Sequence, residues 1–438
     1  MIRLQPPLAV IHRDVLSSPS ARRRAERLLR GMTPGEVREV DDAALAALVR
    51  ERWQTPPNPA ATDTPDLALM AWPFAATEQE HAARLARFPE LAFRRLVGDL
   101  GFVLRQDGDI ARFGGAVCTT GWELHSVYGC PFRCAYCGCK GTLINVACNI
   151  EDQVAQLDRW LMRDNFQTLY KWDNVTDINP FEPEYDATRL LVEYFRSKPE
   201  KYLLHYTGKS DNVDFMLGLD HGGKTIIQWS VAPTTQSRRI EVGTAPMEAR
   251  IEAARKCQEA GYLIRFRLSP IIPVKGWRDE YAGLIRLIFA KTRPDVISLC
   301  FFGWMDFDSM TRCLDTSLLD PWALDMADQR RDEVKDRKYG PFPHEVRRTV
   351  HRFLVDAIRR ESPTTPVSLC IESEAMWSEF RDELGRMGDG FLCNCGPVCS
   401  PGTAFYESRR AFFAARSPQG PRSADAPQPG THASRPRS

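Results

Sequence analysis

Between about residues 120 and 303, short apolar segments alternate with amphipathic ones in a regular order, a pattern typical of repeated βαβ units. Six segments are predicted as strands, from "ELHSVYG" to "DVISLCFFG", and the stretches between them as helices. Repeated βαβ units imply a parallel sheet. Six units are too few to close an eight-stranded barrel, so we expect an α/β fold built on an open, partial (β/α)6 barrel.

The rest of the chain divides by composition. "LAVIHRDVL", "SPSARRRAERLLRGM" and "GEVREVDD" form a strand–helix–strand pattern, with Ser20 as the expected helix N-cap and Gly31 as its stop. Residues 54–65 have the Pro, Ala and Thr bias of a linker. We predict a small N-terminal α/β domain at 1–60, a linker and helical bridge at 61–119, the partial barrel at 120–303, a helical C-terminal extension with a Cys-rich loop at 304–416, and a disordered tail at 417–438.

Charge and hydropathy exclude several classes of protein. The net charge is +1, so no global basic field attracts nucleic acid or an anionic membrane, although a local basic groove is compatible with that total. No long apolar run is present, and the first residues make a poor signal peptide, so we expect a cytoplasmic protein without a membrane partner. An odd count of 13 cysteines without a secretory signal favours metal or redox chemistry over a disulfide framework.

Four cysteines lie within "YGCPFRCAYCGCKG". Three of them have the spacing Cys130-x3-Cys134-x2-Cys137, directly after the first predicted strand, where βα folds build active sites. Three thiolates on one compact loop suit three corners of a [4Fe–4S] cluster and leave one iron open to a ligand. The alternatives are a structural zinc site or a few free thiols, although zinc loops usually pair two Cys-x2-Cys knuckles.

The pattern Cys-x3-Cys-x-aromatic-Cys, with Tyr136 in the aromatic slot, resembles the signature of radical S-adenosylmethionine (SAM) enzymes. Within that superfamily the chain resembles the spore photoproduct lyase family, most strongly in "IEVGTAPMEARIEAARKCQEAGYLIRFRLSPIIPVKGWRDEY" (240–281) and also in "TGKSDNVDFML", "RKYGPFPHEVRR" and "SLCIESEAMW". The resemblance covers most of residues 5–400.

The resemblance implies a lyase-like radical SAM enzyme with a [4Fe–4S] cluster, SAM as cofactor and an external one-electron reductant of the flavodoxin or ferredoxin type. Reductive cleavage of SAM would give a 5′-deoxyadenosyl radical that abstracts hydrogen from a substrate. By resemblance, the leading expectation for that substrate is a pyrimidine lesion in DNA, and the expected role is DNA repair.

The resemblance also carries roles to individual residues. It implies that Lys209, in "TGKSD", pairs with the SAM carboxylate, and that Ser230, in "QWSVA", contacts SAM. Asn174 and Asp177, in "DNVTD", would lie near the SAM amino group or the substrate, and Tyr136 near the cluster or the adenine. The alternative for Lys209 is a solvated lysine at a strand end, and for Ser230 a strand hydroxyl hydrogen-bonded to backbone. For Asn174 and Asp177 the alternative is an ordinary turn.

The chain departs from the family in two places. Spore photoproduct lyases carry a hydrogen-donating cysteine just after the second strand, where this chain has Asn174. The residue after the third cluster cysteine is usually Tyr, whereas here Gly138 is followed by Cys139. Cys139 or Cys148 would be substitute hydrogen donors, with a buried bystander as the alternative for each.

A second thiol group, Cys393-x-Cys395-x3-Cys399, lies in a loop rich in Gly and Pro. It is interpreted as an auxiliary cluster or second metal site, a thiol group facing the radical site, or plain loop cysteines. Arg265 and Arg267 alternate on the fifth predicted strand and therefore share one side of the sheet. If that side is the barrel interior, they would bind an anionic substrate.

Two further functions stay open. One is a biosynthetic radical SAM enzyme that acts on a small nucleotide-like or sugar metabolite, which Asn174 and the neutral charge favour. The other is a non-catalytic iron–sulfur or zinc redox sensor, which would not need Lys209 and Ser230.

Overall fold

The computed structural model describes residues 4–54, 64–98, 115–119, 121–161, 166–385 and 390–416, together with the backbone of 102–104. The predicted tail at 417–438 and most of the predicted linker at 54–65 lie outside these described residues. Among the helices of the described segments, none combines the length and apolar content needed to cross a membrane.

Strands and helices alternate along most of the described chain. The strands are β1 Leu8–His12, β2 Glu36–Val40, β3 Asp66–Met70, β4 Phe102–Leu104, β5 Ala116–Val117, β6 Trp122–Leu124, β7 Val127–Tyr128, β8 Arg133–Cys134, β9 Leu143–Ala147, β10 Leu169–Trp172, β11 Tyr202–Gly208, β12 Thr225–Val231, β13 Glu241–Val242, β14 Leu263–Ile271, β15 Ile297–Phe301, β16 Val367–Cys370 and β17 Glu372–Ser373. The α-helices are α1 Arg13–Ser17, α2 Pro19–Arg30, α3 Asp42–Leu48, α4 Glu78–Arg87, α5 Ile150–Leu161, α6 Ala187–Arg196, α7 Thr234–Arg239, α8 Met247–Glu259, α9 Trp277–Lys291, α10 Phe307–Cys313, α11 Pro321–Gln329, α12 His344–Glu361, α13 Glu374–Glu379, α14 Arg381–Leu384 and α15 Ala404–Ala415. Short 3-10 helices lie at Pro89–Arg95, Asn179–Phe181, Asp214–Met216, Thr316–Leu318 and Arg331–Val334, and a π-helical turn at Val49–Trp53.

The first sheet has the strand order β2-β1-β3-β9-β7. Its inner strands β3 and β9 are buried along their whole length, as expected for parallel strands covered on both faces. The sheet contains the predicted N-terminal strands β1 and β2, and it also takes β3, β7 and β9 from beyond residue 60. The predicted domain limits themselves stay a prediction.

The first long helix, α2, begins two residues earlier than the sequence indicated. Ser18, rather than the expected Ser20, is the N-cap, and its hydroxyl accepts from the Ala21 N–H. Pro19 occupies the first helical position, where its missing N–H costs no hydrogen bond. The helix ends at Gly31, as predicted.

The second sheet is a curled half-barrel with the order β16-β15-β14-β12-β11-β10-β6-β4. Seven strands run parallel, from β6 to β16, and β4 pairs antiparallel with β6 at the edge. The predicted partial barrel is confirmed, with a seventh parallel strand, β16, that lies in the predicted helical extension. β16 has only four residues after the long helix α12, too few to give a clear periodic pattern.

One face of the half-barrel carries polar side chains from neighbouring strands. Lys171 on β10 lies 5.1 Å above the Tyr206 ring on β11, and the Tyr206 hydroxyl bonds to Ser230 on β12 over 2.8 Å. On the next strand, the Arg267 guanidinium reaches the Cys300 sulfur of β15. These side chains come from five adjacent strands, and we call the face that they share the barrel interior.

The segment 391–400 packs against the amino-terminal part of the barrel strands. The Leu169 N–H donates to the Pro397 carbonyl (2.9 Å), and Arg265 donates to the Asn394 and Cys399 carbonyls. Arg265 is fully buried and also pairs with Asp295 at 2.7 Å. Its guanidinium therefore anchors this segment, which corrects the expectation that it binds an anionic substrate.

Candidate active site

The cysteine loop leaves the carboxyl end of the first barrel strand and lies between β7 and β9. It begins at Gly129, whose φ is 97°. A Cβ atom added at this position would lie 2.5 Å from the Leu143 carbonyl oxygen. Only glycine fits that turn without displacing β9. Within the loop, β8 pairs antiparallel with β13, which sets Cys134 opposite Glu241.

The three cysteines Cys130, Cys134 and Cys137 are gathered on this loop, and the Cys137 N–H donates to the Cys134 carbonyl over 3.1 Å. Burial raises the pKa of Cys134 to about 12. A cleft of ≈ 840 Å³ opens against the loop and is lined by Cys130, Tyr136 and Cys137. Clustered thiols beside a cleft of this size fit a bound [4Fe–4S] cluster.

Among the described residues, no group of three or more His, Cys, Asp or Glu side chains is arranged to hold a metal ion. This finding concerns single ions such as zinc, whose thiolate ligands all lie about 2.3 Å from one centre. A cubane cluster is bound differently, because each thiolate binds a separate iron atom. The lack of a single-ion site among the described residues is therefore not an argument against a cluster at Cys130, Cys134 and Cys137.

A buried carboxylate links the cysteine loop to two cations. Glu241 is fully buried, accepts from the Tyr136 hydroxyl over 2.8 Å, and pairs with the equally buried Arg250 at 2.8 Å. The Lys209 ammonium lies 3.9 Å from the same carboxylate. Sequence reasoning missed Glu241; the available signal was an acid between Ile240 and Val242 in a short strand after the fourth barrel strand.

The Lys209 side chain lies at the end of the barrel that carries the cysteine loop. Its ammonium is 12% exposed and donates to the Ser269 carbonyl over 3.5 Å, and it lies 5.9 Å from the Tyr136 ring centre. The structure thus brings Lys209, Tyr136 and the three loop cysteines together, as their predicted roles require. The roles themselves stay predictions.

Asp177 lies beside Lys209, but its carboxylate is already hydrogen-bonded to backbone N–H groups. Its carboxylate accepts from the N–H groups of Lys209 (2.6 Å), Ser210 (2.9 Å) and Asn179 (3.2 Å). Burial nevertheless raises the pKa of Asp177 to about 7. In this structure the Asp177 side chain links the loop after β10 to the end of β11, which agrees with the alternative that Asp177 is a turn residue.

The other predicted contacts lie deeper or to one side. Ser230 is fully buried and its hydroxyl bonds to Tyr206. Asn174 donates to Glu123 over 3.1 Å. Asn174 lines a cleft that Gly138 and Cys139 of the cysteine loop also line, whereas Ser230 lies in the barrel interior.

A second cleft of ≈ 440 Å³ adjoins the cysteine loop. Its lining residues are Arg94, Arg95, Glu123, His125, Tyr128, Gly129, Gly138, Cys139, Asn174 and Val175. Cys139, one of the two predicted hydrogen donors, thus faces a space that a substrate could enter. Cys148, the other, is fully buried in the core of the first sheet, outside both clefts, which favours a structural role for it.

His125 supplies a positive charge beside this cleft. Its ring lies 3.3 Å from the Asp173 carboxylate and 3.6 Å from that of Glu123, and all three side chains are buried. Burial opposes protonation, but the two acids outweigh it and raise the pKa of His125 to about 9. No sequence motif pointed to this histidine.

The C-terminal thiols lie at the other end of the barrel. Cys393 and Cys399 are buried, and the Cys393 N–H donates to the Cys399 sulfur over 3.4 Å. Cys395 lines a small cavity together with Arg267 and Cys370. The metal role predicted for this group stays a prediction.

Comparisons with known proteins agree on one family. A family model described as "Spore photoproduct lyase" matches residues 113–341, more than half of the chain. The chain is 29% identical over 174 residues to the spore photoproduct lyase of Bacillus subtilis (strain 168), which covers 38% of this chain and 51% of that protein. For the enzyme of Clostridium acetobutylicum the identity is 25% over 171 residues, with the same shares covered. The chain spans about half the length of the curated relatives it matches.

Solved structures share the fold. A spore photoproduct lyase mutant with bound AdoMet and dinucleoside spore photoproduct superimposes with a TM-score of 0.58 at 18% identity, covering 84% of this chain and 98% of the other. A spore photoproduct lyase complexed with dinucleoside spore photoproduct gives 0.56 at 18% identity, covering 83% and 98%. The chain belongs to the spore photoproduct lyase family, within the radical SAM superfamily.

Proposed function

We propose that this protein is a radical SAM enzyme that acts on a pyrimidine lesion in DNA. The observation that carries the proposal is the cysteine loop at the carboxyl end of a half-barrel, beside the Lys209–Glu241 pair. Membership of the spore photoproduct lyase family supports the reaction class. Relatives with bound AdoMet and dinucleoside spore photoproduct support the substrate class.

Cys130, Cys134 and Cys137 would hold the [4Fe–4S] cluster. When bound, the cluster supplies the electron for reductive cleavage of SAM, which yields the 5′-deoxyadenosyl radical that abstracts substrate hydrogen. The electron comes from an external one-electron donor of the flavodoxin or ferredoxin type.

The protein's own residues position the reactants. Lys209 offers the SAM carboxylate a charge-assisted hydrogen bond, and Glu241 and Arg250 hold the lysine's surroundings rigid. The cleft that contains Cys139 and Asn174 would take the lesion, with Arg95 and protonated His125 near its phosphate. Gly138 lines both clefts, so the cysteine loop would separate the proposed cluster site from the proposed substrate site by a single turn of chain.

The test begins with anaerobic reconstitution of the full chain with iron and sulfide. After reduction with SAM present, we expect a cluster absorbance and 5′-deoxyadenosine, both lost in Cys134→Ala. Cys313→Ala is the matched control, because Cys313 lines the same cleft but lies outside the loop. A Cys134→Ala variant that retains its iron and its SAM cleavage would refute the cluster assignment.

The substrate is tested separately with deuterium. DNA oligonucleotides that carry a deuterated pyrimidine lesion should transfer deuterium into 5′-deoxyadenosine, whereas undamaged DNA should not. Transfer from a free nucleotide or sugar and not from lesion DNA would overturn the repair proposal and favour the biosynthetic alternative.

A further inference from the structure

Two cysteines in the barrel interior form a pair that no motif indicated. Cys300 is the second-last residue of β15 and Cys370 the last residue of β16, and the two are directly paired in the register of these adjacent parallel strands. Neighbouring strands lie about 4.8 Å apart, within the Cα separation of about 4.4–6.8 Å that a disulfide requires. Both residues are free cysteines in this structure.

The side chains of the pair point to the same place. One guanidinium nitrogen of Arg267 lies 3.0 Å from the Cys300 sulfur and 3.1 Å from the Cys370 sulfur. Both sulfurs therefore accept from the same guanidinium nitrogen, on the same face of the two strands. No backbone movement is therefore needed to bring the thiols together.

We infer that Cys300 and Cys370 form a redox-active dithiol, the barrel dithiol, which closes to a disulfide by exchange with a small-molecule disulfide. Arg267 is its positioning residue, because a fixed cation between two sulfurs stabilises the thiolate that starts the exchange. The inference stands on two barrel strands and does not depend on the function proposed above.

The charge state of the pair agrees with this geometry. The hydrogen bond from Cys370 lowers the pKa of Cys300 to about 5, and the Arg267 charge acts in the same direction against the effect of burial. The same pairing, together with burial, raises the pKa of Cys370, so the thiolate forms at Cys300. One thiol and one thiolate react with glutathione disulfide to give the protein disulfide, one glutathione and one glutathione thiolate, so electrons and protons balance.

The surroundings connect the barrel dithiol to the candidate active site. Ser269 lies two residues after Arg267 on β14, and its carbonyl accepts from the Lys209 ammonium over 3.5 Å. Cys370 is partly exposed, so it is the thiol of the pair that a small disulfide would reach first. A two-electron reductant thus lies in the same interior as the proposed SAM site.

The direct test uses the full-length chain equilibrated anaerobically with glutathione buffers of graded oxidation. Free thiols are then alkylated and the protein is mapped by peptide mass spectrometry. We expect a Cys300–Cys370 linked peptide that forms and disappears reversibly, is absent in Cys300→Ser and Cys370→Ser, and is unchanged in the matched buried-thiol control Cys257→Ala. Cys300 and Cys370 that stay alkylatable at every buffer ratio, or that link instead to Cys118 or Cys395, would overturn the inference.

A second measurement tests Arg267 and needs no activity. In the wild type, the rate of iodoacetamide alkylation at Cys300 should rise with pH, and its midpoint pH should lie below that of an ordinary thiol. In Arg267→Met the rate at pH 6 should fall about tenfold or more, and Arg267→Lys should restore part of it. An unchanged pH profile in Arg267→Met would show that the guanidinium is only structural. Repeating the mapping in Cys134→Ala separates this result from the fate of the cluster.

Discussion

Tyr136 donates its hydroxyl to the Glu241 carboxylate over 2.8 Å, and this bond fastens the cysteine loop to a buried ion pair. Glu241 in turn neutralises Arg250, and neither side chain is exposed. The aromatic residue of the cysteine motif therefore does more than fill space beside a cluster. Through Glu241 it fixes the loop relative to Lys209, whose ammonium approaches the same carboxylate oxygen, Oε1.

Replacing Glu241 by Gln should destabilise the fold strongly. The change leaves the buried guanidinium of Arg250 without its counter-charge, and breaking such a pair costs about 3–5 kcal/mol of unfolding free energy. Urea unfolding followed by circular dichroism measures this. Glu252→Gln is the control, because Glu252 pairs with Arg255 on the exposed face of α8 and its loss should change little. Equal effects of the two variants would contradict the buried pair.

Gly129→Ala should disturb the cysteine loop selectively. The new Cβ would meet the Leu143 carbonyl at 2.5 Å in a backbone conformation with positive φ, which costs about 1–3 kcal/mol and moves Cys130. Iron content after reconstitution should fall. Gly138→Ala is a control in the same loop, because nothing lies within 4 Å of its added Cβ. Loss of iron in both variants would point to general sensitivity of the loop to substitution.

Lys209→Met should weaken SAM binding without removing the cluster. A charged hydrogen bond contributes about 1.5–3 kcal/mol, so the dissociation constant for SAM should rise roughly 10- to 100-fold. Equilibrium binding to the reconstituted protein, with cluster absorbance recorded in parallel, measures both quantities. The control Lys256→Met removes an exposed ammonium on α8 that pairs with Asp214. Unchanged SAM affinity in Lys209→Met would remove this lysine from the proposed site.

His125 should make the fold sensitive to alkali. Its folded-state pKa of about 9 lies above the value of about 6.5 for free imidazole, so its contribution is complete below pH 6.5 and is lost as pH rises through 9. Across that window the unfolding free energy should fall by about 3 kcal/mol. Denaturant unfolding at pH 6.5 and pH 9.5 measures the change. His125→Gln should flatten this dependence, and an unaltered slope would show that His125 is neutral in the folded protein.

The loss of stability at acidic pH should depend on a different histidine, His205. Burial lowers the pKa of His205 to about 3, so this ring stays neutral in the folded protein while the unfolded chain takes up a proton below pH 6.5. Stability should therefore fall between pH 6.5 and 5 by about 2 kcal/mol. His205→Gln, which retains a group able to bond to Asn179, should lose less over that range. Parallel slopes in the two proteins would contradict this assignment.

Much of the fold was predictable because parallel βαβ units leave a strong local signal. The partial barrel follows from strand–helix alternation, and β10, β11, β12, β14 and β15 fall where the apolar segments indicated. β16 was not predicted, since its four residues gain their stability only from pairing with β15. The same holds for β13, two residues whose partner β8 lies more than 100 positions earlier in the chain.

The sequence by itself determined the cysteine motif, the sheet class and the family, because ligand spacing and hydrophobic periodicity are local properties of the chain. Only the tertiary structure decided which other residues meet there. It brought Glu241 into contact with Tyr136 and Lys209, and it bonded the Asp177 carboxylate to backbone N–H groups. It buried Cys148 in the core of the first sheet. It also placed Cys300 and Cys370 within reach of one guanidinium nitrogen of Arg267. Each of these outcomes depends on contacts between distant strands, and strand register carries no signature in a single stretch of sequence.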